Sequence, residues 1–224
     1  MKLNQEFHRP FVTSKWSVVG LALLAAGMLV SGLRAQNPTS PDVFRVEEDW
    51  SLVIDQPDLA NNGPQVTCTI SPADMTTAYC AFDINYHTQP NYSPGGMQLH
   101  TWDPTDPVEI ADSPHTAMLQ NPGETVTWTQ TMTWNSGVLT FRVHNGDSQT
   151  WGKFGGPNGL LWLDLPTSLP NLDSYDPNVS VANSGVSFAG NLVTSLTLTA
   201  VRWYDVNGKL IKQVTTPQVV YPTN

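Results

Sequence analysis

The chain has 224 residues, of which 40% are apolar and 13% charged, so it is long enough to bury a substantial core. Past residue 35, 18 acidic residues face six basic ones, and the net charge of −12 excludes nucleic acid as an expected partner because a phosphate backbone is repelled. Acidic polysaccharides are disfavoured for the same reason unless a cation bridges them, whereas neutral glycans and calcium are compatible.

Residues 1–35 have the order of a secretory signal. Basic residues precede an uncharged, largely apolar run from Trp16 to Leu33, and small residues surround an expected cut after Ala35. An uncleaved anchor is the alternative, because a run of 18 residues is at the lower limit for crossing a bilayer. We therefore expect export to the periplasm, the cell surface or the medium, with membrane contact only through this segment if it is not cleaved.

The remainder divides into a flexible lead-in, residues 36–42, and one domain, residues 43–224. Runs rich in Val, Thr, Trp, Tyr and Leu are separated by Pro, Gly, Asn and Asp, which is typical of strands joined by turns. Predicted strands are 44–54, 65–70, 79–86, 96–102, 125–134, 138–144, 148–154, 160–164, 179–182, 185–188, 192–205 and 209–215. Residues 103–124 read as a proline-broken loop with room for one short element. The sequence predicts an all-β fold.

Cys68 and Cys80 are the only cysteines, and each lies in a predicted strand. In an oxidising compartment such a pair most often forms a disulfide, which would add about 2 to 4 kcal/mol of stability. Metal binding is the weaker alternative, because no third ligand lies nearby in sequence. We therefore predict a Cys68–Cys80 disulfide.

Residues 125–144 show the strand pattern most clearly, because every second residue from Thr125 to Thr133 is threonine. A two-residue turn at 136–137, or a four-residue loop over 135–138, gives one register. It pairs Trp134 with Leu139, Met132 with Phe141 and Gln130 with Val143, and collects Thr129, Thr131, Thr133, Thr140, Arg142 and His144 on the other face. Since the apolar face fixes register, we expect Trp128, Met132 and Trp134 in the core and the threonine face toward solvent or a groove.

The segment after this hairpin leaves two alternatives open. Asn145-Gly146 is typical of a tight hairpin turn, which would place Trp151 on the polar face. A β-bulge would instead return Trp151 to the core. An exposed Trp151 would be the best aromatic candidate for stacking on a sugar ring.

Three segments carry a resemblance to a known family: EEDWSLVIDQPD (47–58), GVLTFRVHNGDSQTWGKFGG (137–156) and NSGVSFAGNLVTSLTLTAVRWYDVNGKLI (183–211). Together they resemble the concanavalin A-like (laminin G-like) jelly-roll domains of exported bacterial proteins, over roughly residues 43–215. The resemblance implies an antiparallel two-sheet jelly-roll sandwich. It implies less about function, because this fold hosts lectins, hydrolases, lyases and adhesion modules.

The enzymes of that family suggest specific residues. Its glycoside hydrolases carry a Glu-x-Asp-x-x-Glu strand that supplies the carboxyl pair hydrolysis needs, and that spacing does not occur here. The acidic residues 47–49 are interpreted as solvated strand surface. Its alginate-lyase-like members use a Gln-x-His strand with an Arg and a Tyr. Gln98 and His100 match the first element, and Arg142, Arg202 and Tyr204 could supply the others.

Oxygen-bearing side chains cluster at Asn171, Asp173 and Asp176. Calcium takes several such ligands, and the resemblance implies that loops of this kind can hold it. Side chains that satisfy their own turns are the competing interpretation. These residues are the candidate calcium ligands.

The sequence thus predicts an exported β-sandwich acting as a non-catalytic carbohydrate-binding or cell-surface interaction module, whose partner is a glycan or another cell-surface component. The candidate ligand-binding residues are Gln98, His100, Thr131, Thr140, Arg142, His144 and Trp151. The alternative functions are a polysaccharide lyase or hydrolase of the same fold, and a structural envelope or matrix component.

Overall fold

The computed structural model of the protein describes residues 41–56, 64–85, 96–104, 109–119, 121–156, 161–187 and 192–223. The predicted signal segment and the lead-in up to residue 40 lie outside the described residues. Within those ranges, no helix is both long and apolar enough to cross a membrane.

Strands dominate the described part of the chain, which confirms the all-β prediction. The strands are β1 (Arg45–Ile54), β2 (Gln65–Ile70), β3 (Tyr79–Ile84), β4 (Met97–Trp102), β5 (Ile110–Asp112), β6 (Thr125–Asn135), β7 (Val138–Ser148), β8 (Gly152–Phe154), β9 (Trp162–Pro166), β10 (Gly185–Ser187), β11 (Val193–Tyr204), β12 (Leu210–Val214) and β13 (Gln218–Tyr221). One short helix, α1 (Pro177–Asn183), precedes β10. β5 lies in the predicted loop, and β13 lies where the sequence predicts no strand.

The strands form two antiparallel sheets. The larger sheet has the order β12-β11-β1-β6-β7-β8, with β13 also pairing with β11 and β9 with β7; the smaller has the order β10-β2-β3-β4-β5. Apolar side chains from both sheets form one buried cluster. Within it, Phe82 of the smaller sheet meets Trp128 of the larger sheet edge to face, with ring centroids 5.5 Å apart. The sheets therefore pack on one another around a shared core, as in a β-sandwich.

β6 and β7 pair in the predicted register. Met132 lies opposite Phe141, Trp134 opposite Leu139, and Gln130 opposite Val143. Ser136 and Gly137 both have positive φ, 50° and 83°, as expected of a two-residue turn that suits the twist of a hairpin. Trp128 and Met132 are buried as predicted. Trp134 is only partly buried at the border of the core, where its Nε1 donates to the Leu169 carbonyl at 2.6 Å.

A β-bulge at Asn145 replaces the tight turn that the Asn-Gly pair suggests. Thr129 lies opposite His144, whereas Thr127 lies opposite Asp147, so β7 holds one extra residue between these pairs. Asn145 has a φ of 55°, a conformation that Asn adopts more readily than most residues. β7 therefore continues past this point instead of reversing.

Trp151 lies in the core, so its prediction as a ligand-binding residue is wrong. Its Nε1 donates to the Ala117 carbonyl at 2.9 Å, and its ring meets Phe154 nearly at a right angle. Glu124 holds the preceding turn, because its Oε1 accepts from the Ser148 hydroxyl at 2.6 Å. The bulge lets β7 run on to Ser148, and the turn between Ser148 and Gly152 then places Trp151 inward.

The predicted strand at 179–182 is instead the helix α1. Asp176 is its N-cap, with extended backbone and an Oδ1 that accepts the Asn178 N–H at 2.9 Å. Pro177 follows at the start of the helix, where its missing N–H leaves no bond unmade. The Asp-Pro pair is a helix-start signal that the alternation of valine with polar residues obscures.

The predicted disulfide is also wrong, because Cys68 and Cys80 are free thiols. β2 and β3 pair so that Cys68 lies opposite Phe82, and Cys80 opposite Ile70. The cysteines are therefore diagonal neighbours on the core side. Such neighbours lie about 7–8 Å apart, whereas a disulfide needs Cβ atoms about 4 Å apart.

We expect both thiols to be unreactive in the folded protein and reactive once it unfolds. Both are fully buried, and burial raises the pKa of each, so little thiolate is present to react. Titration with a chromogenic thiol reagent, without reductant, should count no thiol in native buffer and both in denaturant. A count of zero in denaturant would show that the disulfide forms after all.

Gly146→Ala should destabilise the fold. A Cβ at this position would lie 2.3 Å from the Phe154 ring, which is itself packed against Phe82 and Trp151. Overpacking of this kind costs about 1–3 kcal/mol, measurable as a lower free energy of unfolding in urea. Gly185→Ala is the matched strand control, because a Cβ there meets no atom within 4 Å. Equal destabilisation by both substitutions would contradict the packing argument.

Candidate functional site

The outer face of the larger sheet carries a polar groove of about 500 Å³. We refer to this depression as the groove. Its lining residues are Arg45, Glu47, Thr131, Thr133, Asn135, Thr140, Arg142, His144, Asn145 and Gly156. Four residues predicted to bind ligand are among them: Thr131, Thr140, Arg142 and His144.

The strand register brings these side chains together. In one cross-strand row, Glu47 on β1 faces Thr131 on β6, which in turn faces Arg142 on β7. In a second row, Arg45 on β1 faces Thr133 on β6, which in turn faces Thr140 on β7. Because residues two apart point to the same side of a strand, both rows project from the outer face.

The threonines of this face are engaged in hydrogen bonds. The Thr131 hydroxyl lies 2.6 Å from Nε2 of His144, and the Thr140 hydroxyl donates to Asp164 at 2.6 Å. Thr129 and Thr131 are nearly fully buried between their neighbours. The threonine face therefore forms the floor of a groove, one of the two outcomes that the sequence allows.

A salt-bridge cluster centred on Arg202 lies beside the groove. Its Nη1 and Nη2 donate to the two carboxylate oxygens of Asp49 at 2.6 and 2.7 Å, and its Nε donates to Glu47 at 3.0 Å. Tyr204 donates its hydroxyl to Glu47 at 2.7 Å. The bonds to Asp49 raise the pKa of Arg202. Partial burial acts to raise the pKa of Asp49, but the hydrogen bonds from Arg202 and Thr129 outweigh it and hold that pKa below its usual value.

Arg142 and Trp162 form an exposed stack at the β9 side of the groove. The guanidinium carbon lies 4.0 Å from the centroid of the Trp162 ring. Trp162 remains 48% exposed, and its Nε1 donates to Asp164 at 3.1 Å. This hydrogen bond fixes the indole, and a cation can cover only one of its faces. A fixed, open aromatic surface therefore lies next to the groove.

Arg45, Glu47 and Trp162 belong to this region although the sequence does not single them out. β1 reaches β6 across about 80 residues of chain, so no local pattern reveals that pairing. Trp162 does have a local signal, because it alternates with the buried residues Leu161 and Leu165 in the manner of an outward-facing position.

Gln98 and His100 lie on the smaller sheet, away from the groove. Nδ1 of His100 lies 3.0 Å from Asp83, and the Gln98 amide donates to Asp112 at 2.8 Å. The Arg and Tyr residues that the resemblance would pair with them lie on the larger sheet, on the other side of the core. The structure therefore does not bring the lyase-like set into one site.

Asn171, Asp173 and Asp176 are engaged by turn and cap hydrogen bonds. Asp173 accepts from the Val43 N–H at 2.7 Å and from the Asn171 amide at 2.9 Å, and Asp176 caps α1. In the part of the chain that the structure describes, no three His, Cys, Asp or Glu side chains are grouped as metal ligands. Side chains that satisfy their own turns account for this stretch without calcium.

Glu48 lies beneath the groove, on the inner side of β1, and its interpretation as solvated surface is wrong. It is fully buried, and it accepts from the Tyr175 hydroxyl at 2.6 Å and from Nε1 of Trp50 at 3.0 Å. Burial raises the pKa of Glu48 from 4.5 to about 7, against the opposing effect of these hydrogen bonds. A carboxyl that titrates near neutral pH is thus built into the core and not into the groove.

Comparisons of this chain with protein-family models, with curated proteins and with solved structures find no match. The chemistry of the groove therefore carries the functional inference.

Glu48→Gln should remove a pH dependence of stability. Between pH 4.5 and about 7, the unfolded chain has released the Glu48 proton while the folded chain still holds it, so this group makes the free energy of unfolding fall as pH rises. At 1.36 kcal/mol per pKa unit, the fall is about 3 kcal/mol. Urea unfolding at about pH 5 and about pH 8 should show a correspondingly smaller difference for the variant.

Glu109→Gln is the control for this measurement, because it removes an exposed carboxyl and should leave the pH dependence in place. A Glu48→Gln variant with the same pH slope as the unmodified chain would refute the buried titration.

Proposed function

We propose that the protein is a non-catalytic carbohydrate-binding module that holds a glycan in the groove. The observation that carries this proposal is the position of Trp162, a fixed and half-exposed indole, beside a row of hydroxyl, amide, imidazole and guanidinium groups. Sugar rings present both C–H faces and hydroxyls. An amphipathic aromatic surface with polar groups next to it suits both properties.

The extent of the depression favours an oligosaccharide over a single sugar. A second depression of about 490 Å³ lies on the same face and shares Asn145 with the groove. It continues past Asp49, Thr127 and Thr129. A linear ligand could therefore contact several cross-strand rows at once.

The carboxylates that line the groove and the second depression, those of Glu47 and Asp49, support binding over hydrolysis. Glycoside hydrolysis needs one carboxyl that donates a proton and a second that is free to act at the sugar or on water. Glu47 and Asp49 are instead bound by Arg202, and the pKa of Asp49 is held low, with burial outweighed by those bonds. Glu48, whose pKa is raised by burial, is sealed in the core.

The remaining parts of this proposal come from the sequence. The resemblance supports a jelly-roll sandwich of the concanavalin A-like type, and the secretory order of residues 1–35 supports export. An exported module of this kind would meet glycans at a cell surface or in the medium.

Trp162→Ala should weaken glycan binding by at least about tenfold, because exposed aromatic anchors carry a large share of binding energy. The full chain would first be screened on a glycan array, and the dissociation constant of the best ligand would then be measured by calorimetry. Trp102→Ala is the matched control, since Trp102 is 43% exposed but lies on the smaller sheet. Equal weakening by both variants, or no binding by the unmodified chain, would overturn the proposal.

A further inference from the structure

Positive charge is concentrated on the outer face of the larger sheet. Beyond residue 35 the chain has only three arginines, Arg45, Arg142 and Arg202, and all of them lie on this face. The chain beyond residue 35 carries a net charge of −12. The same face also carries the carboxylates of Glu47, Asp49 and Asp164, so its charges are mixed, whereas the chain as a whole is strongly acidic.

Arg142 is the arginine whose charge is not neutralised. Arg202 is held by two carboxylates, and Arg45 lies 3.4 Å from Glu47. Across the described ranges, no carboxylate forms a salt bridge with Arg142. Its guanidinium lies over the Trp162 ring, and stacking of this kind uses the face of the guanidinium and leaves its in-plane N–H donors available.

Arg45 is a second arginine that lines the groove. Its Nε is buried and lies 3.4 Å from Glu47 without forming a hydrogen bond, and its guanidinium lies over the Tyr204 ring at 3.9 Å. Arg45 faces Thr133 and Arg142 faces Thr131, on the strand that lies between them. Two ring-stacked arginines thus lie on a diagonal across the groove, with threonine hydroxyls between them.

We infer that the glycan held in the groove carries carboxylate groups, as uronic acids do, and that Arg142 with Trp162 is the subsite that recognises the acidic sugar. The guanidinium pairs with the carboxylate in the planar, charge-assisted manner typical of arginine, and the indole supports the ring. This inference rests on the proposed function and names the class of its ligand.

The acidity of the whole chain does not oppose this assignment. At physiological salt, interactions between exposed charges are screened over about 8 Å, so distant acidic residues act weakly while a direct contact persists. A short acidic oligosaccharide should therefore bind without a bridging cation, in contrast to the expectation from composition.

A matched pair of ligands tests the inference: a short galacturonate oligomer, and the same oligomer with its carboxyl groups methyl-esterified. The two share rings and hydroxyls and differ in charge. We expect the full chain to bind the free acid at least about tenfold more tightly, in calorimetry without added calcium, with an advantage that shrinks as salt rises. Arg142→Gln should lower the affinity for the acid much more than the affinity for the ester, so that the preference for the acid is lost.

Lys153→Gln is the charge-matched control. Lys153 has a side chain that is 81% exposed, it pairs with Asp147, and it does not line the groove, so the preference for the acid should survive. Equal affinity for acid and ester, a preference lost equally in both variants, or acid binding only after calcium is added would overturn the inference and leave glycan binding standing. Failure of the chain to bind these ligands or any neutral glycan would remove the proposed function as well.

Discussion

The alternation of side chains along β1 is the constraint on which the core and the groove both depend. β1 lies between β11 and β6, and its buried and half-exposed residues alternate along its whole length. On the outer side of β1, Glu47 and Asp49 form salt bridges with Arg202. On the inner side, Trp50 stacks on Trp128 with nearly parallel rings whose centroids are 6.4 Å apart. A slip of one residue would exchange the two sets of side chains. The groove therefore exists only when the core has formed in the same register.

Glu48 shows that this alternation is stronger than the preference of a carboxyl for water. Its parity places it inside, where Tyr175 and Trp50 satisfy its oxygens. Tyr175 in turn meets Trp203 edge to face, with ring centroids 5.8 Å apart. Through these contacts one carboxyl connects the segment before α1 to the centre of the larger sheet. A satisfied polar network of this kind specifies a single packing arrangement more narrowly than apolar contacts do.

Local patterns of the sequence predict the pairing of strands that are neighbours in the chain, but they do not predict the pairing of strands that are distant in the chain. The β6–β7 register and its two-residue turn follow from the apolar face and the turn residues alone. The sequence leaves the conformation at Asn145 open because a bulge and a hairpin turn both favour Asn with positive φ. Helix α1 has only seven residues, too few to show a helical period. The disulfide prediction fails because the β2–β3 register, which the sequence does not reveal, offsets Cys68 from Cys80 by two residues. The Arg45 and Glu47 side of the groove depends on a pairing about 80 residues apart, for which no local signal exists.

The extra residue at Asn145 sets the phase of everything that follows it on β7. As β7 is built, Gly146 occupies the inward position against Phe154, and the absence of a side chain there makes room for the ring. Because Asn145 is the extra residue of the bulge, its loss would leave His144 followed directly by Gly146 in regular alternation, and Gly146 would keep its inward place. If a second residue were lost as well, Asp147 would take that place and a carboxylate would meet an aromatic ring packed on Phe82. Loss of the bulge residue alone should thus be tolerated, and loss of two residues rejected.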